Sequence, residues 1–193
     1  MDLSLPASLV DKLLRHLDLL AQWNRRYNLT AIQTGPDMVT HHLLDCLAVV
    51  PYAPAGRLLD LGTGAGFPGV PLALARPEDH YTLVDSSLKR IRFVRHVKAQ
   101  LKLTNVETRH CRAEALHGEA PFDGVVARAF RAPQTVLSLA APLLAPGGRC
   151  VVMCGQAPAA GNPAPGAFTR VSAVPLRVPF LAAIRHLLIG ERS

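Results

Sequence analysis

Three glycines and two aspartates are the residues whose spacing points to chemistry. Asp60-Leu61-Gly62-Thr63-Gly64-Ala65-Gly66 closes one apolar run, and Asp85, 23 residues after Gly62, closes the next. Glycines admit positive φ and let a backbone approach a ligand where a Cβ would obstruct it. A carboxylate at the tip of the neighbouring strand accepts hydrogen bonds from the two hydroxyls of a ribose. Gly62, Gly64 and Asp85 therefore read as a nucleoside-binding constellation. Asp60 narrows it, because a carboxylate inside a strand end organises the loop or meets a cationic ligand through water, whereas a pyrophosphate gains nothing from it. A glycine-rich turn alone is a weak signal, and either carboxylate has a plainer reading as a helix cap or a surface ion pair.

These residues need a sheet to hold them. Arg57-Leu58-Leu59-Asp60-Leu61 is a short apolar strand ending in the glycines, and Pro68 to Ala75 starts a helix, since proline is tolerated in a first turn. His80 to Asp85 repeats the strand pattern. Ser86 is expected to cap a helix whose buried stripe is Leu88, Ile91, Val94, Val97 and Leu101. Strands are then predicted over Asn105 to Arg109 and Phe122 to Ala127, a helix over Pro133 to Leu144, a turn at Pro146-Gly147-Gly148 and a strand over Arg149 to Met153. Alternating strands and helices predict an α/β, Rossmann-like fold, a mostly parallel sheet with helices on both faces.

Ahead of the first strand, apolar residues recur at helical spacing from Leu9 to Tyr27, and Gly35-Pro36-Asp37 opens a second helix that Pro51 to Gly56 stops. This predicts an N-terminal helical cap over 1–55 and a core over 56–193. Ala157 to Gly166, rich in Ala, Pro and Gly, reads as a flexible loop, and Phe168 to Leu176 with Arg185 to Ile189 as a closing antiparallel pair.

With 193 residues, 49% hydrophobic and 18% charged, the chain has a globular composition. No apolar stretch approaches the roughly 18 to 20 residues of a membrane span, and Met1-Asp2-Leu3-Ser4 lacks the basic start of a secretory signal, so a cytoplasmic protein without a membrane partner is expected. Cys46, Cys111, Cys150 and Cys154 form no CxxC pair and are expected as reduced thiols. A net charge of +7 favours a polyanionic partner, with nucleic acid the leading candidate. Adjacent His41 and His42 point in different directions on a helix, so no metal site is expected.

Phe122-Asp123-Gly124-Val125-Val126 and Leu144-Ala145-Pro146-Gly147-Gly148-Arg149 stand in the order and spacing of the fourth and fifth strands of class I methyltransferases, which the chain resembles here. That resemblance implies S-adenosylmethionine as the cofactor. Five segments are similar to one family more narrowly: Trp23-Asn24-Arg25-Arg26-Tyr27-Asn28-Leu29-Thr30, His42-Leu43-Leu44-Asp45-Cys46, Gly62 to Gly69, Leu83-Val84-Asp85-Ser86 with Lys89-Arg90, and Ala127-Arg128-Ala129-Phe130. The family is the bacterial small-subunit (16S) ribosomal RNA guanine-N7 methyltransferases, also known as glucose-inhibited division protein B.

The resemblance implies that Gly62, Gly64 and Phe67 line the methionine and adenosine pocket, that Asp85 holds the ribose, that Ala113 and Glu114 flank the adenine, and that Arg128 contacts the cofactor. His42 and Asp45, one helical turn apart, either face the pocket mouth or bond to each other. Lys89, Arg92 and Arg95 lie on a helix with no acidic residue between Ser86 and Val106, which suits RNA phosphates. The same run also reads as a solvated helix face. The chain departs from the family where Cys154-Gly155 replaces a Lys-Gly pair, removing a cation near the substrate, and in its tail after Gly155.

Guanine N7 carries a lone pair and no proton, so no general base is needed and no catalytic residue is assigned; positioning carries the reaction. The partner implied is 16S RNA or the small ribosomal subunit, acted on by a monomer. A methyltransferase acting on a small molecule or protein, a NAD-dependent Rossmann oxidoreductase and a non-catalytic RNA-binding protein are the competing readings.

Overall fold

The computed structural model describes residues 5–32, 35–158 and 166–193. Seven strands form one sheet in the order β3-β2-β1-β4-β5-β7-β6. They are β1 (Arg57–Leu61), β2 (His80–Asp85), β3 (Val106–His110), β4 (Phe122–Arg128), β5 (Leu144–Cys154), β6 (Phe168–Leu176) and β7 (Arg185–Arg192). The first five are parallel, and β7 runs antiparallel to both β5 and β6. The order reverses between β1 and β4, so beyond their carboxyl ends lies the crevice where open α/β sheets hold ligands.

The two faces follow from strand periodicity. Leu58, Val126, Val151, Met153 and Leu187 bury on the face covered by α1 (Ala7–Tyr27), α4 (Gly69–Ala75) and α5 (Leu88–Leu101). Leu59, Leu61, Val125, Ala127, Cys150, Val152 and Leu188 bury on the other, under α6 (Pro133–Ala140). Leu13, Leu17 and Leu20 of α1 belong to the first of these cores, so the N-terminal helices pack directly on the sheet.

The second N-terminal segment is one helical path: α2 (Gly35–Met38), a π-helical turn (Val39–Leu44) and α3 (Asp45–Leu47). Some local readings change. Ser87, not Ser86, precedes α5, and the Asp85 side chain, not a serine hydroxyl, accepts the Ser87 N–H at 2.8 Å. Leu88, the first residue of α5, is 39% exposed, and Phe93 is fully buried and takes its place in the stripe. The helix expected to reach Leu144 ends at Ala140 and tightens into a 3₁₀ turn over Ala141–Leu143, with Pro142 in it. Pro146-Gly147-Gly148 is a bulge inside β5: register passes from Phe122↔Leu144 to Gly124↔Arg149, with Gly147 at φ +75°. Of the expected loop over Ala157 to Gly166, 159–165 lie outside the described residues.

Candidate active site

A cavity of about 430 Å³ opens at the β1/β4 switch point. Gly62, Thr63, Gly64, Ala65 and Phe67 form one wall, Thr30, His42 and Asp45 another, and Arg128, Arg185 and Met153 come from the sheet. The volume falls in the range of about 300 to 1,000 Å³ typical of small-molecule pockets.

The glycine loop is held from three sides. Gly62 and Thr63 donate their backbone N–H groups to the Val84 carbonyl, which fixes the loop on β2. Asp60, fully buried, accepts the Gly69 N–H at 2.9 Å and so ties the strand end to the start of α4. A Cβ on Gly62, at φ +70°, would strike the Phe130 ring at 2.2 Å, so this glycine is dictated by both conformation and space. Gly64, at φ +58°, has only its own loop near a would-be Cβ and leaves its backbone open. Burial pushes the Asp60 carboxyl up to about 6, against the Thr63 hydroxyl and the Gly69 N–H, which favour the charged form. Its Oδ1 is buried without a well-aligned donor.

Asp85, at the tip of β2, accepts Gly64 N–H at 3.0 Å through Oδ2 and pairs with Arg90 at 3.4 Å. Its Oδ1 also accepts the Ser87 N–H, so of the about four acceptor positions of a carboxylate roughly one stays open unless a ligand displaces the exposed Arg90. Asp85 is buried behind Gly64, which lines the cavity, and is itself not part of the lining.

Strand parity sends Arg128 to the face of the N-terminal helices, because it follows Val126 by two. There its Nη1 donates to the His41 carbonyl at 2.8 Å, and its Nη2 donates to His42 Nδ1 at 3.1 Å. The π turn explains the first bond. The Asp45 N–H turns to the Thr40 and His42 carbonyls, leaving that of His41 free to accept. With Nδ1 an acceptor, His42 carries its proton on Nε2 and gives it to the Thr30 hydroxyl at 3.1 Å. Burial, then the Arg128 charge, lowers the His42 pKa to about 3, so the ring is neutral. Asp45 lies between two guanidinium groups, Arg128 at 3.5 Å and Arg185 at 3.6 Å. Burial raises its pKa while both arginines hold it down.

Phe67 stacks on His42 at 4.5 Å and on His16 of α1 at 4.6 Å between ring centroids, with the Arg128 guanidinium 5.2 Å from its centroid. Ala113 is buried where a 3₁₀ turn (Ala113–Leu116) follows β3; Glu114 is exposed, and neither lines the cavity. Lys89, Arg92 and Arg95 are exposed on α5. Among the described residues no cluster of His, Cys, Asp and Glu suits a metal, and all four cysteines are free thiols.

The sequence model of the family described as rRNA small subunit methyltransferase G matches residues 9–188. The chain belongs to this family. A relative from Xanthomonas euvesicatoria pv. vesicatoria, "Ribosomal RNA small subunit methyltransferase G", is 44% identical over 98% of this chain and 90% of its own length. One of the same name from Escherichia fergusonii is 41% identical over 93% of this chain and 87% of its own. The fold is also that of the 1,6-didemethyltoxoflavin-N1-methyltransferase of Burkholderia thailandensis, solved with its substrate and S-adenosylhomocysteine, at TM-score 0.59 and 16% identity over 100% of this chain and 93% of that one.

Cys154, where the chain departs from the family's Lys, is buried with the α6-side core and also borders the cavity, and Arg185 extends from β7 on the Leu187 side, towards Asp45. Arg90, Arg128 and Arg185 bring cationic groups to the cavity wall. Sequence reasoning placed Arg185 only as a strand boundary, quoted Thr30 only as the end of a family-like segment without a role, and did not single out His16. No spacing signal marks them, since their partners are distant along the chain.

Proposed function

We propose that this protein transfers the methyl group of S-adenosylmethionine to N7 of one guanine in 16S ribosomal RNA. The observation that carries the reading is the state of the two ionisable groups around Arg128, in a cavity walled by the glycine loop. His42 has both ring nitrogens engaged, and Asp45 is clamped by two arginines. Both side chains are committed to holding the arginines, and His42 in particular has no free nitrogen to act as a base, which suits an acceptor nitrogen that has no proton to lose. S-adenosylmethionine supplies a methyl already activated on a sulfonium.

The protein's own residues have the remaining tasks. Asp85 and Gly64 hold the ribose side; the adenine reaches past Asp85 to Ala113 and Glu114, which lie outside the cavity itself; Gly62, Thr63 and Phe67 shape the methionine side. Arg128, braced by Asp45, contacts the cofactor and Arg185 on the same carboxylate faces the base, so that the two are held for in-line attack, an entropic effect worth up to about 7 to 11 kcal/mol in favourable intramolecular systems. Lys89, Arg92 and Arg95 on α5 bind RNA phosphates, which supply affinity and salt dependence but not sequence choice. The helical cap over 1–55 closes the crevice, and 56–193 carries the cofactor, in a monomer working in the cytoplasm; among the described residues no helix is long and apolar enough to cross a membrane.

The test is site-specific. Protein incubated with adenosylmethionine and unmethylated small-subunit RNA should label one guanine, and borohydride followed by aniline should cleave the RNA there. Label without cleavage would assign the methyl group to another atom.

A further inference from the structure

The connection between β6 and β7 presents an aromatic ring to solvent. Phe180 is 92% exposed and has φ +63°, a conformation rare for a bulky residue. The turn beneath it is anchored: Val178 is buried, and its carbonyl accepts the Leu181 N–H at 3.2 Å. Leu176 and Arg185, which bracket the connection, both line the cavity. Phe180 therefore projects from a segment rooted on both sides in the site.

The surroundings say what such a ring meets. The connection itself carries no aspartate or glutamate, and Arg185 closes it at the start of β7. Arg177 is exposed in the same connection. An exposed aromatic among cations, beside a base-sized cavity, has the composition of single-stranded nucleic-acid sites, where guanidinium groups take phosphates and rings stack on bases. RNA brings a phosphate for Arg177 and a flat apolar base for the ring together, which suits this pairing of groups.

We propose that Phe180 is a stacking platform for an unpaired base next to the guanine that enters the cavity. This rests on the ribosomal RNA reading above. The RNA must then be single-stranded where it crosses the β6–β7 connection, which adds a selection for loop structure that phosphate contacts cannot make.

The test uses the full chain as wild type, Phe180→Ala and Phe180→Trp, first in methyl transfer to protein-free small-subunit RNA. The second probe is a short single-stranded RNA carrying 2-aminopurine, whose fluorescence is quenched on stacking. Phe180→Ala should raise KM for RNA roughly five- to 150-fold, as expected for one lost stack. It should abolish the quench and leave kcat and S-adenosylhomocysteine affinity unchanged, and Phe180→Trp should restore both lost properties. Wild-type KM and quench in Phe180→Ala would overturn the proposal. So would a defect seen only on assembled subunits, which would make a ribosomal protein the occupant. If the wild type fails to methylate the RNA, the functional reading falls, and the quench still decides the platform.

Discussion

His16 Nε2 lies 2.9 Å from the Ala65 carbonyl, joining the middle of α1 to the glycine loop 49 positions later. His16 is fully buried, and its Nδ1 has no partner. Burial, offset in part by the Ala65 carbonyl, lowers its pKa to about 4, so a neutral ring donates through Nε2–H. Together with the stack on Phe67, this bond makes the N-terminal helix a support of the cofactor loop.

Replacing this support should be felt in both stability and binding. His16→Leu removes the donor to Ala65 and the ring on Phe67, and should cost about 2 to 4 kcal/mol of stability, the sum of an unmade buried hydrogen bond and lost packing. It should also weaken S-adenosylhomocysteine several-fold. Denaturant unfolding and calorimetric titration check the two effects; an unchanged affinity would remove His16 from the support of the loop.

Acid sensitivity should be set largely by buried groups. Between about pH 6.5 and 4 the unfolded chain protonates His16 and the folded chain does not, so that contribution is complete at neutral pH and is lost as pH falls. His42, at about 3, acts in the same direction. Asp60 acts oppositely: its folded pKa of about 6 makes the folded state bind more protons between about pH 4 and 6. For His16 the swing is about 3 kcal/mol. The melting temperature should therefore fall from pH 7 to pH 4, less steeply in His16→Phe and more steeply in Asp60→Asn. Identical slopes in all three proteins would refute the assignment.

Asp85→Ala should weaken S-adenosylhomocysteine binding by about tenfold or more, since hydrogen bonds to a charged acceptor contribute roughly 1.5 to 3 kcal/mol. The fold should persist, because the Ser87 N–H that it accepts is only part-buried and water can replace the carboxylate there. An unchanged dissociation constant would take Asp85 out of the pocket.

Arg128→Lys keeps the charge but not the fork that reaches the His41 carbonyl and His42 Nδ1 together. Methyl transfer should drop on the order of tenfold or more through misplacement. Because Arg185 shares Asp45, the double Lys variant should lose less than the product of the single losses. Strictly multiplicative losses would mean the two arginines act separately.

Much of this was readable in residue order. The run from Arg57 to Leu61 and the glycines after it announce a strand that must turn at once, and Asp85 announces its neighbour, because these signals are local and the strand period is short. Helix ends were less legible. Leu88 matches the apolar period of α5 yet is exposed, since periodicity cannot say where the sheet beneath a helix begins.

The sequence by itself determined the parallel core, the glycine loop with its two carboxylates, and the membership in a family of RNA methyltransferases. The tertiary structure decided how the site is assembled. Arg128 meets Asp45 across 83 positions, and Arg185 reaches the same carboxylate from β7. Which face each arginine takes depends on strand parity within a sheet whose order, β1-β4-β5-β7, no local pattern encodes. His16 met Phe67 for the same reason: contacts between segments far apart along the chain exist only once the sheet has brought their elements together.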